Sequence, residues 1–312
     1  MADPNVDLSV VVLSWNTHDL TVACLSALKD RLDAWPRSTE VIVIDNASSD
    51  DSAATIERDF KWVQLHINAE NVGYARGVNQ GLALAKGCRV MLLGSDTEVR
   101  GETIPSLWDF LDGHPDVGMV APKCVDPDGT LQRGCMRFPD LKTALYYDTL
   151  LEKLSPDNTA LNRYFYKDWD HVGTRSVDQP PATSVMVRRE VIDEVGPMDK
   201  RLWLLFNDVD WCLRIHRAGW EIYYVDEATE VLHHRGASTS RRENFAVDWH
   251  RDRLYFYRKH YHAMGAFIAK MALLYVGGRE VLRIRRNLES TSEFIQHSKQ
   301  VIRAMGGVLL RG

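Results

Sequence analysis

Short apolar runs that end in polar clusters recur through the first hundred residues of the chain. Runs without polar alternation are typical of strands in a parallel sheet that is covered on both faces. In such α/β sheets, ligands bind beyond the carboxyl ends of the strands. The pattern therefore predicts one polar pocket for a nucleotide, a metal ion, or both. The runs are Val10–Leu13, Val41–Ile44 and Val90–Leu93, and they end in Ser14-Trp15-Asn16, Asp45-Asn46 and Gly94-Ser95-Asp96.

Helical patterns separate these runs and predict a β-α-β-α-β order over residues 8–100. Such alternation indicates a parallel sheet with right-handed crossover connections. We expect the last of the helices to stop at Gly87, as a C′ glycine. The expected helices are Leu20–Leu28, Ser52–Phe60 and Ala75–Lys86, and Val63–Ile67 is a further expected strand.

Three glycines lie four residues apart around the third expected helix. Gly73, Gly77 and Gly81 would leave one helical face without side chains. Two explanations stay open, namely close packing of the helix on a strand and close approach of a ligand. The spacing does not match the G-x-G-x-x-G fingerprint of nicotinamide dinucleotide sites, which argues against that class of enzyme.

Two aspartates begin a further predicted helix in the second half of the chain. Thr183–Val187 predicts a strand, and Val209–Ala218 predicts a helix that stops at Gly219. Asp208 and Asp210 fall in the first turn of this helix. Carboxylates there either complement the positive end of the helix dipole or act as a general base.

A pair of histidines follows two strand-like segments near position 230. Neighbouring residues of a strand point to opposite faces, so at most one of His233 and His234 faces a given site. A histidine is more often a hydrogen-bonded structural residue than a ligand. Beside Asp96, however, an imidazole would complete an open Mn²⁺ or Mg²⁺ site.

The segment after Trp249 is helical and basic. Its apolar part, Ala263–Val276, is too short to span a bilayer. Two alternatives stay open: the segment lies on an anionic membrane surface, or it packs on the catalytic domain. Basic residues interrupt or follow this part at Lys270, Arg279, Arg283, Arg285 and Arg286.

Composition narrows the class of protein. The chain has 312 residues, 45% of them hydrophobic, enough for one large domain or for one domain with an appendage. A net charge of −5 gives no support for nucleic-acid binding. Residues 1–7 lack the basic and apolar regions of a secretory signal. Five scattered cysteines show no metal or redox spacing, so reduced thiols in the cytoplasm are expected.

Taken together, the motifs resemble those of the inverting glycosyltransferases of family 2, and most closely the rhamnosyltransferase-like branch. The resemblance covers about residues 8–260. It implies the GT-A fold, an α/β architecture with a mostly parallel mixed sheet flanked by helices. Residues 1–250 would form the nucleotide-sugar-binding and catalytic domain, and 251–312 a helical extension. The carriers are Val12–Asn16, Val43–Asp50, Asn71–Asn79, Leu93–Thr97, Asn207–Arg214 and His233–Ser238.

The resemblance also implies roles for individual residues. Asp208 corresponds to the catalytic base, and Asp96 and His233 to ligands of Mn²⁺ or Mg²⁺. Asp45 would hydrogen-bond a pyrimidine base. The full nucleotide-binding set is Leu13, Ser14, Trp15, Asn16, Asp45, Asn71, Gly73, Asn79 and Ser95, and candidates for contact with the acceptor or donor sugar are Phe206, Asn207 and Asp210.

The implied substrates are a dTDP- or UDP-type sugar donor and a glycan or lipid-linked acceptor. The branch points to rhamnose, with galactofuranose and mannose left open, in the synthesis of cell-surface glycans. The protein would work in the cytoplasm or on the inner face of the membrane, with its C-terminal helices as the contact. The Gln-x-x-Arg-Trp motif of processive synthases is absent from the sequence, which favours transfer of one or few sugars.

Three departures from the family pattern keep another class open. The strand-end motif is Gly94-Ser95-Asp96 rather than Asn-Pro-Asp, Asn207 replaces an acid before the base, and Ala182 replaces a glycine. Asn207 and the single carboxylate of the strand-end motif motivate the alternative of a nucleotide-sugar-binding module without turnover. A nucleotidyltransferase is disfavoured, because no glycine-rich basic loop lies near the N-terminus.

Overall fold

A computed structural model describes residues 6–236, 245–287, 303 and 305–308. The chain divides into two compact units. The first comprises Met1–Arg137, Trp169–Trp203 and Asn207–Arg242, and the second comprises Phe138–Asp168, Leu204–Phe206 and Glu243–Gly312. The predicted domain boundary at residue 250 stays a prediction.

The first unit contains all the strands of the described residues, in two sheets. In chain order the strands are β1 (Leu8–Ser14), β2 (Thr39–Asp45), β3 (Gln64–Ile67), β4 (Arg89–Gly94), β5 (Thr97–Arg100), β6 (Val117–Pro122), β7 (Cys124–Val125), β8 (Arg175–Ser176), β9 (Ser184–Arg188), β10 (Glu221–Val225) and β11 (Glu230–His233). The main sheet has eight strands in the order β3-β2-β1-β4-β9-β6-β10-β8, and the smaller sheet has the order β5-β11-β7.

Helices accompany both units. They are α1 (His18–Asp33), α2 (Ser52–Asp59), α3 (Tyr74–Leu84), α4 (Thr103–Gly113), α5 (Leu141–Tyr146), α6 (Leu150–Leu154), α7 (Thr159–Tyr164), α8 (Arg189–Val195), α9 (Asn207–Arg217) and α10 (Phe245–Asn287). Helices α5, α6, α7 and α10 belong to the second unit, and the others to the first. The mixed α/β architecture predicted from the sequence is confirmed.

Helices and other side chains cover both faces of the main sheet at β1, which explains the apolar run of this central strand. Val10 and Val12 of β1 belong to a buried cluster that includes residues of α1 and α4. On the other face, α3 packs so closely that a Cβ at Gly77 would lie 2.6 Å from Leu13 Cδ1, and one at Gly81 would overlap Val11. Close helix–strand packing, the simpler of the two explanations, thus accounts for these two glycines.

The strand directions bring three chain segments to one edge of the sheet. β1 pairs in parallel with both β2 and β4, and its register sets Ser14 beside Asp45 and Leu13 beside Gly94. β9, the strand predicted at Thr183–Val187, is antiparallel to β4 and to β6. The polar clusters that follow β1, β2 and β4 therefore lie side by side.

The predicted helix end at Gly87 is wrong. Helix α3 ends at Leu84, and Ala85 is already extended, with φ −63° and ψ 133°. The N–H groups of Lys86 and Gly87 donate to the Ser9 hydroxyl, at 3.0 and 2.7 Å. These bonds to β1 replace a helical continuation and lead the chain directly into β4.

The second unit is organised around α10, which is interrupted at His262 (φ 53°). The buried Arg253 donates from Nη2 to the carbonyl groups of Ala144 and Tyr147, at 2.8 and 2.9 Å. The Tyr261 hydroxyl donates to the Pro139 carbonyl at 2.7 Å. These bonds fix α10 on the segment that contains α5. Among the described helices, none combines the length and apolar character needed to cross a bilayer.

Candidate active site

The carboxyl end of β2 carries a buried carboxylate with one unused oxygen. Asp45 Oδ1 accepts from the Ser48 N–H at 2.9 Å. Asp45 Oδ2 is also buried, and it has no hydrogen-bond partner within the described part of the chain. A buried acceptor without a donor costs about 1–3 kcal/mol, so such atoms call for an explanation such as a missing ligand.

The segment after β1 is bound to the loop after β2. Asn16 adopts a left-handed conformation (φ 53°), and its N–H donates to the Ser48 hydroxyl at 3.0 Å. Its side-chain oxygen accepts from the Ser49 N–H at 2.7 Å. Ser14 is fully buried, with its hydroxyl 3.0 Å from that of Thr21. The predicted nucleotide contacts of this segment, including Trp15, stay predictions.

A third loop, Asn71–Gly73, is held by Asn46, a residue that received no role from the sequence. Asn46 Nδ2 donates to Asn71 Oδ1 at 3.0 Å, and its Oδ1 accepts from the Val72 N–H at 3.0 Å. Gly73 has φ 88°, and a Cβ there would lie 2.5 Å from the Trp203 ring. Only glycine fits this position, because both the backbone and the neighbouring ring exclude a side chain.

Asn79 of α3 bonds to the chain that precedes α9. Its Nδ2 donates to the Met198 carbonyl at 2.8 Å, and its Oδ1 accepts from the Met198 N–H at 2.9 Å. Both ends of this amide are therefore used within the protein. Its predicted contact with the nucleotide stays a prediction.

Asp96 lies in the turn between β4 and β5, and the pairing of β5 with β11 brings it beside His233. The atoms His233 Nε2 and Asp96 Oδ2 are 3.8 Å apart, and the Asp96 carbonyl accepts from the His234 N–H at 2.9 Å. His234 instead points to Glu98, with Nε2 and Oε1 3.4 Å apart. The two histidines thus face different partners, as adjacent residues of a strand do. Beside them, the Ser95 hydroxyl is buried, 2.8 Å from that of Thr17.

The protein environment shifts the pKa values of both Asp96 and His233. Burial raises the pKa of Asp96, although His233 opposes the shift. Burial lowers the pKa of His233, although Asp96 opposes that shift. A neutral imidazole is the form that binds metal ions. The lowered pKa therefore keeps His233 in its ligand form near neutral pH.

The Asp96–His233 pair fits a hard divalent cation. A carboxylate oxygen and an imidazole nitrogen are suitable ligands for Mn²⁺, and Mg²⁺ is usually held by one or two carboxylates together with substrate phosphates. No group of three or more potential ligands occurs among the residues that the structure describes. The pair therefore suits an ion that shares its coordination with a diphosphate rather than one in a closed protein site.

Asp208 lies in the first turn of α9. Its Oδ1 accepts from the Val209 N–H at 2.8 Å. Burial raises the pKa of this carboxyl, as a general base requires. Burial raises the pKa of Tyr74, and the charges of Asp208 and Asp96 raise it further. The Tyr74 hydroxyl donates to the Ala182 carbonyl at 3.2 Å. Both carboxylates are thus near one hydroxyl, which the sequence did not single out.

The three remaining candidates make contacts within the protein. In the second unit, Phe206 (φ 59°) packs on Trp249, with ring centroids 5.1 Å apart. In the first unit, Asn207 is buried and donates to the Leu202 carbonyl at 3.4 Å. Asp210 is fully buried and accepts from Arg214 Nε at 2.9 Å. Contacts of these residues with sugars stay predictions.

The family model described as glycosyl transferase family 2 matches residues 9–196. The chain belongs to glycosyltransferase family 2. The match covers the strand edge and both segments that hold Asp45 and Asp96. The predicted family is thereby confirmed.

Curated relatives include enzymes named for rhamnosyl transfer. The N-acetylglucosaminyl-diphospho-decaprenol L-rhamnosyltransferase of Mycobacterium tuberculosis is 27% identical over 219 residues, covering 67% of this chain and 70% of that protein. The dTDP-rhamnosyl transferase RfbF of Shigella flexneri is 24% identical over 234 residues, covering 73% and 69%. The resemblance to the rhamnosyltransferase branch is confirmed, and the chain is a glycosyltransferase.

Solved structures confirm the GT-A fold. A mannosyltransferase from Pyrobaculum calidifontis, in complex with GDP-Man and Mn²⁺, aligns with a TM-score of 0.54 and 16% identity, covering 99% of this chain and 89% of that one. The transferase GalNAc-T7 with UDP, GalNAc and Mn²⁺ gives a TM-score of 0.57 and 16% identity, covering 80% and 48%. At these identities the likeness concerns the fold alone.

Proposed function

We propose that this glycosyltransferase moves rhamnose from a dTDP-type donor to a hydroxyl of a lipid-linked or glycan acceptor, with inversion at the anomeric carbon and with a divalent metal. One observation carries the mechanism: besides burial, the charges of both Asp208 and Asp96 raise the pKa of Tyr74, which supports one shared site for the two carboxylates, and His233 lies beside Asp96. The names of the two rhamnosyltransferase relatives support the donor sugar, and one of them supports a diphospho-lipid acceptor.

Donor binding begins at the strand edge. The unused Asp45 Oδ2 is an acceptor for the ring N–H of a thymine or uracil base. The loop Asn71–Gly73, which Asn46 holds in place, would line the nucleotide. Asp96 and His233 would hold Mn²⁺ or Mg²⁺ against the diphosphate. When bound there, the cation supplies neutralisation of the charge that develops on the leaving diphosphate.

Asp208 is the proposed base. It removes the proton from the acceptor hydroxyl while that oxygen attacks the anomeric carbon on the face opposite the diphosphate. The bond from oxygen to the anomeric carbon forms as the bond from that carbon to the diphosphate oxygen breaks, and the proton ends on the carboxylate. A single displacement inverts the configuration and needs no second carboxylate on the other face.

A donor panel tests this proposal. Thermal-shift measurements with dTDP-, UDP- and GDP-sugars, each with Mn²⁺, Mg²⁺ or chelator, are expected to give the largest stabilisation with dTDP-rhamnose and metal, because a ligand of the native state raises its melting temperature. Transfer to an N-acetylglucosaminyl-diphospho-lipid is then followed by NMR of the product. A product with the anomeric configuration of the donor would contradict inversion, and undiminished transfer in chelator would contradict the metal.

We also infer that α10 attaches the protein to an anionic membrane surface. Met264, Phe267, Met271 and Leu274 recur every three or four residues, and their exposed fractions are 59%, 61%, 51% and 47%. The buried side of the same helix carries small residues, including Ala269 and Ala272. Residues 257–287 contain seven lysines and arginines and one glutamate, in a chain of net charge −5. Anionic headgroups match this charge.

Vesicle flotation tests the membrane contact. The full chain is expected to float with vesicles that contain phosphatidylglycerol and not with pure phosphatidylcholine vesicles. Phe267→Gln combined with Met271→Gln should abolish flotation, whereas Leu84→Gln, an exposed leucine on α3, should leave it unchanged. Equal flotation of the double variant would refute this role for α10. The side chains of Arg283, Arg285 and Arg286 lie outside the described residues.

A further inference from the structure

The Gln132 side chain is hydrogen-bonded to the His233 ring. Neither the family match nor the sequence motifs assign a function to Gln132. The turn Asp126–Gly129 reverses the chain after β7, with the Gly129 N–H donating to the Asp126 carbonyl at 2.9 Å. The Gln132 N–H then donates to the Cys124 carbonyl at 2.9 Å. Because β7 pairs with β11, this return sets the buried Gln132 side chain against His233 at the end of β11.

The hydrogen bonds of Gln132 determine which way its amide points. Its nitrogen lies 2.7 Å from Asp126 Oδ1 and 2.8 Å from the His233 carbonyl oxygen. Both of these atoms can only accept from it, so the NH₂ group must be at this end. The remaining amide atom, Oε1, is therefore the one that lies 2.9 Å from His233 Nδ1.

This polarity in turn determines the tautomer of His233. An amide oxygen can only accept, so His233 Nδ1 must carry a proton and donate it. In the neutral ring, Nε2 is then unprotonated. That atom is 3.8 Å from Asp96 Oδ2, so an imidazole lone pair and a carboxylate face the same space. When Asp96 is ionised, the two atoms are both acceptors with no proton between them, and a bound cation would relieve their repulsion.

We propose that Gln132 is a positioning residue that fixes His233 as the Nδ1–H tautomer, with Nε2 available as a metal ligand beside Asp96. Asp126 in turn is held by Arg235, with Oδ1 and Nε 3.0 Å apart. The series Asp96, His233, Gln132, Asp126 and Arg235 thus connects the candidate metal site to the protein surface. The metal part of this inference rests on the proposed function; the tautomer part stands on the hydrogen bonds alone.

The tautomer is tested in the metal-free protein. Long-range ¹H–¹⁵N spectra of the full chain, with His233 assigned through His233→Gln, are expected to show protonated Nδ1 and unprotonated Nε2 at a pH above the pKa of the ring. Gln132→Met keeps the length of the side chain and removes both polar ends, so it should raise the population of the Nε2–H form. A wild-type protein in the Nε2–H form, or an unchanged tautomer in Gln132→Met, would overturn the proposal.

Mn²⁺ binding tests the consequence. Removing the partner that orients a ligating histidine typically weakens metal binding 10–100-fold. Titration of Mn²⁺ by electron paramagnetic resonance, in the presence of dTDP, should show a loss of about this size for Gln132→Met. The control is Gln179→Met, another buried glutamine of the same unit, whose amide donates to the Arg137 carbonyl at 2.8 Å. Affinity in this control should equal that of the wild type.

The two experiments distinguish the failure of each idea. Equal Mn²⁺ affinity in wild type and Gln132→Met would overturn the positioning role while leaving the metal site in place. A wild-type protein with the expected tautomer but without Mn²⁺ binding would instead remove the metal from the proposed function. Circular dichroism and melting temperature establish that Gln132→Met is folded. If it is not, the wild-type tautomer alone decides the proposal.

Discussion

Replacing Asp208 by Asn separates the chemical role of this residue from its effect on stability. The substitution keeps the shape of the side chain and an acceptor for the Val209 N–H, and removes charge and basicity. General-base catalysis contributes about 10²–10⁴-fold to a rate. We therefore expect kcat to fall by about this factor, which corresponds to roughly 3–5 kcal/mol of transition-state stabilisation. Donor affinity should change little, because the proposed contacts of Asp208 are with the acceptor.

The same substitution should stabilise the folded protein at neutral pH. Burial raises the pKa of Asp208, so folding favours its protonated form. This contribution is complete below the pKa of the unfolded chain and is lost as pH rises through the folded-state pKa. Each unit of the shift corresponds to about 1.4 kcal/mol. Asn carries no charge, so Asp208→Asn should gain unfolding free energy at pH 7.5 and gain none in acid.

Asp210→Asn is the matched control on the same helix. Asp210 is fully buried and accepts from Arg214 Nε at 2.9 Å. In the described part of the chain, the pKa of Asp208 is set by burial and by backbone N–H groups. Loss of a hydrogen bond to a charged group costs about 1.5–3 kcal/mol. The two Asp→Asn changes, two residues apart, should therefore shift the unfolding free energy at pH 7.5 in opposite directions.

Urea denaturation at pH 4 and pH 7.5, with steady-state transfer kinetics, measures both effects. Turnover of Asp208→Asn within about threefold of wild type would remove Asp208 as the base, given the size of general-base effects. A loss of stability at pH 7.5 as large as that of Asp210→Asn would refute the argument from burial. The two outcomes are independent, because one concerns the transition state and the other the free protein.

Three further predictions follow from the same geometry. Asp96→Ala should weaken donor binding in Mn²⁺ but not in chelator, and calorimetry showing equal affinity in both would contradict its ligand role. The acid limb of the kcat/KM profile should lie above the ordinary pKa of an aspartate, because burial raises the pKa of Asp208; a limb at the ordinary value would argue against it. Gly81→Ala should cost about 1–3 kcal/mol in urea titrations, since its Cβ would overlap Val11. Gly113→Ala, where a Cβ meets nothing within 4 Å, should cost nothing.

The strand edge was predictable because its signals are local. Apolar runs that stop at Ser14, Asp45 and Asp96 mark strand ends, and parallel pairing then brings those ends together. The end of α3 was not predictable in the same way. Its last turn gives way to bonds from Lys86 and Gly87 to the Ser9 hydroxyl, 77 and 78 residues away in the chain. Gly87, which could have capped a helix, instead lies in the connection that leads into β4.

The hydrogen-bond and electrostatic partners of the site residues could not be predicted from the sequence. Gln132 and His233 are 101 residues apart, and nothing local to either predicts their hydrogen bond. Asn46 and Tyr74 belong to two of the sequence motifs that carry the family resemblance. Their roles nevertheless depend on loops and carboxylates from other segments of the chain. Residue type and spacing identify which groups can do chemistry. Only the tertiary fold determines which of them are oriented to do it.

The proposed nucleotide, metal and base positions of the candidate site have one electrostatic property in common. Asp45 Oδ2 has no donor, His233 Nε2 faces a carboxylate, and Asp208 is accompanied by backbone N–H groups rather than by a cation in the described segments. The first two cost stability in the free protein, because an acceptor without a donor or cation is unfavourable in a buried position. Burial likewise disfavours the charge of Asp208. A nucleobase N–H, a divalent ion and an acceptor hydroxyl would satisfy the three in turn. If the proposed function is correct, the binding of donor, metal and acceptor would relieve these costs together.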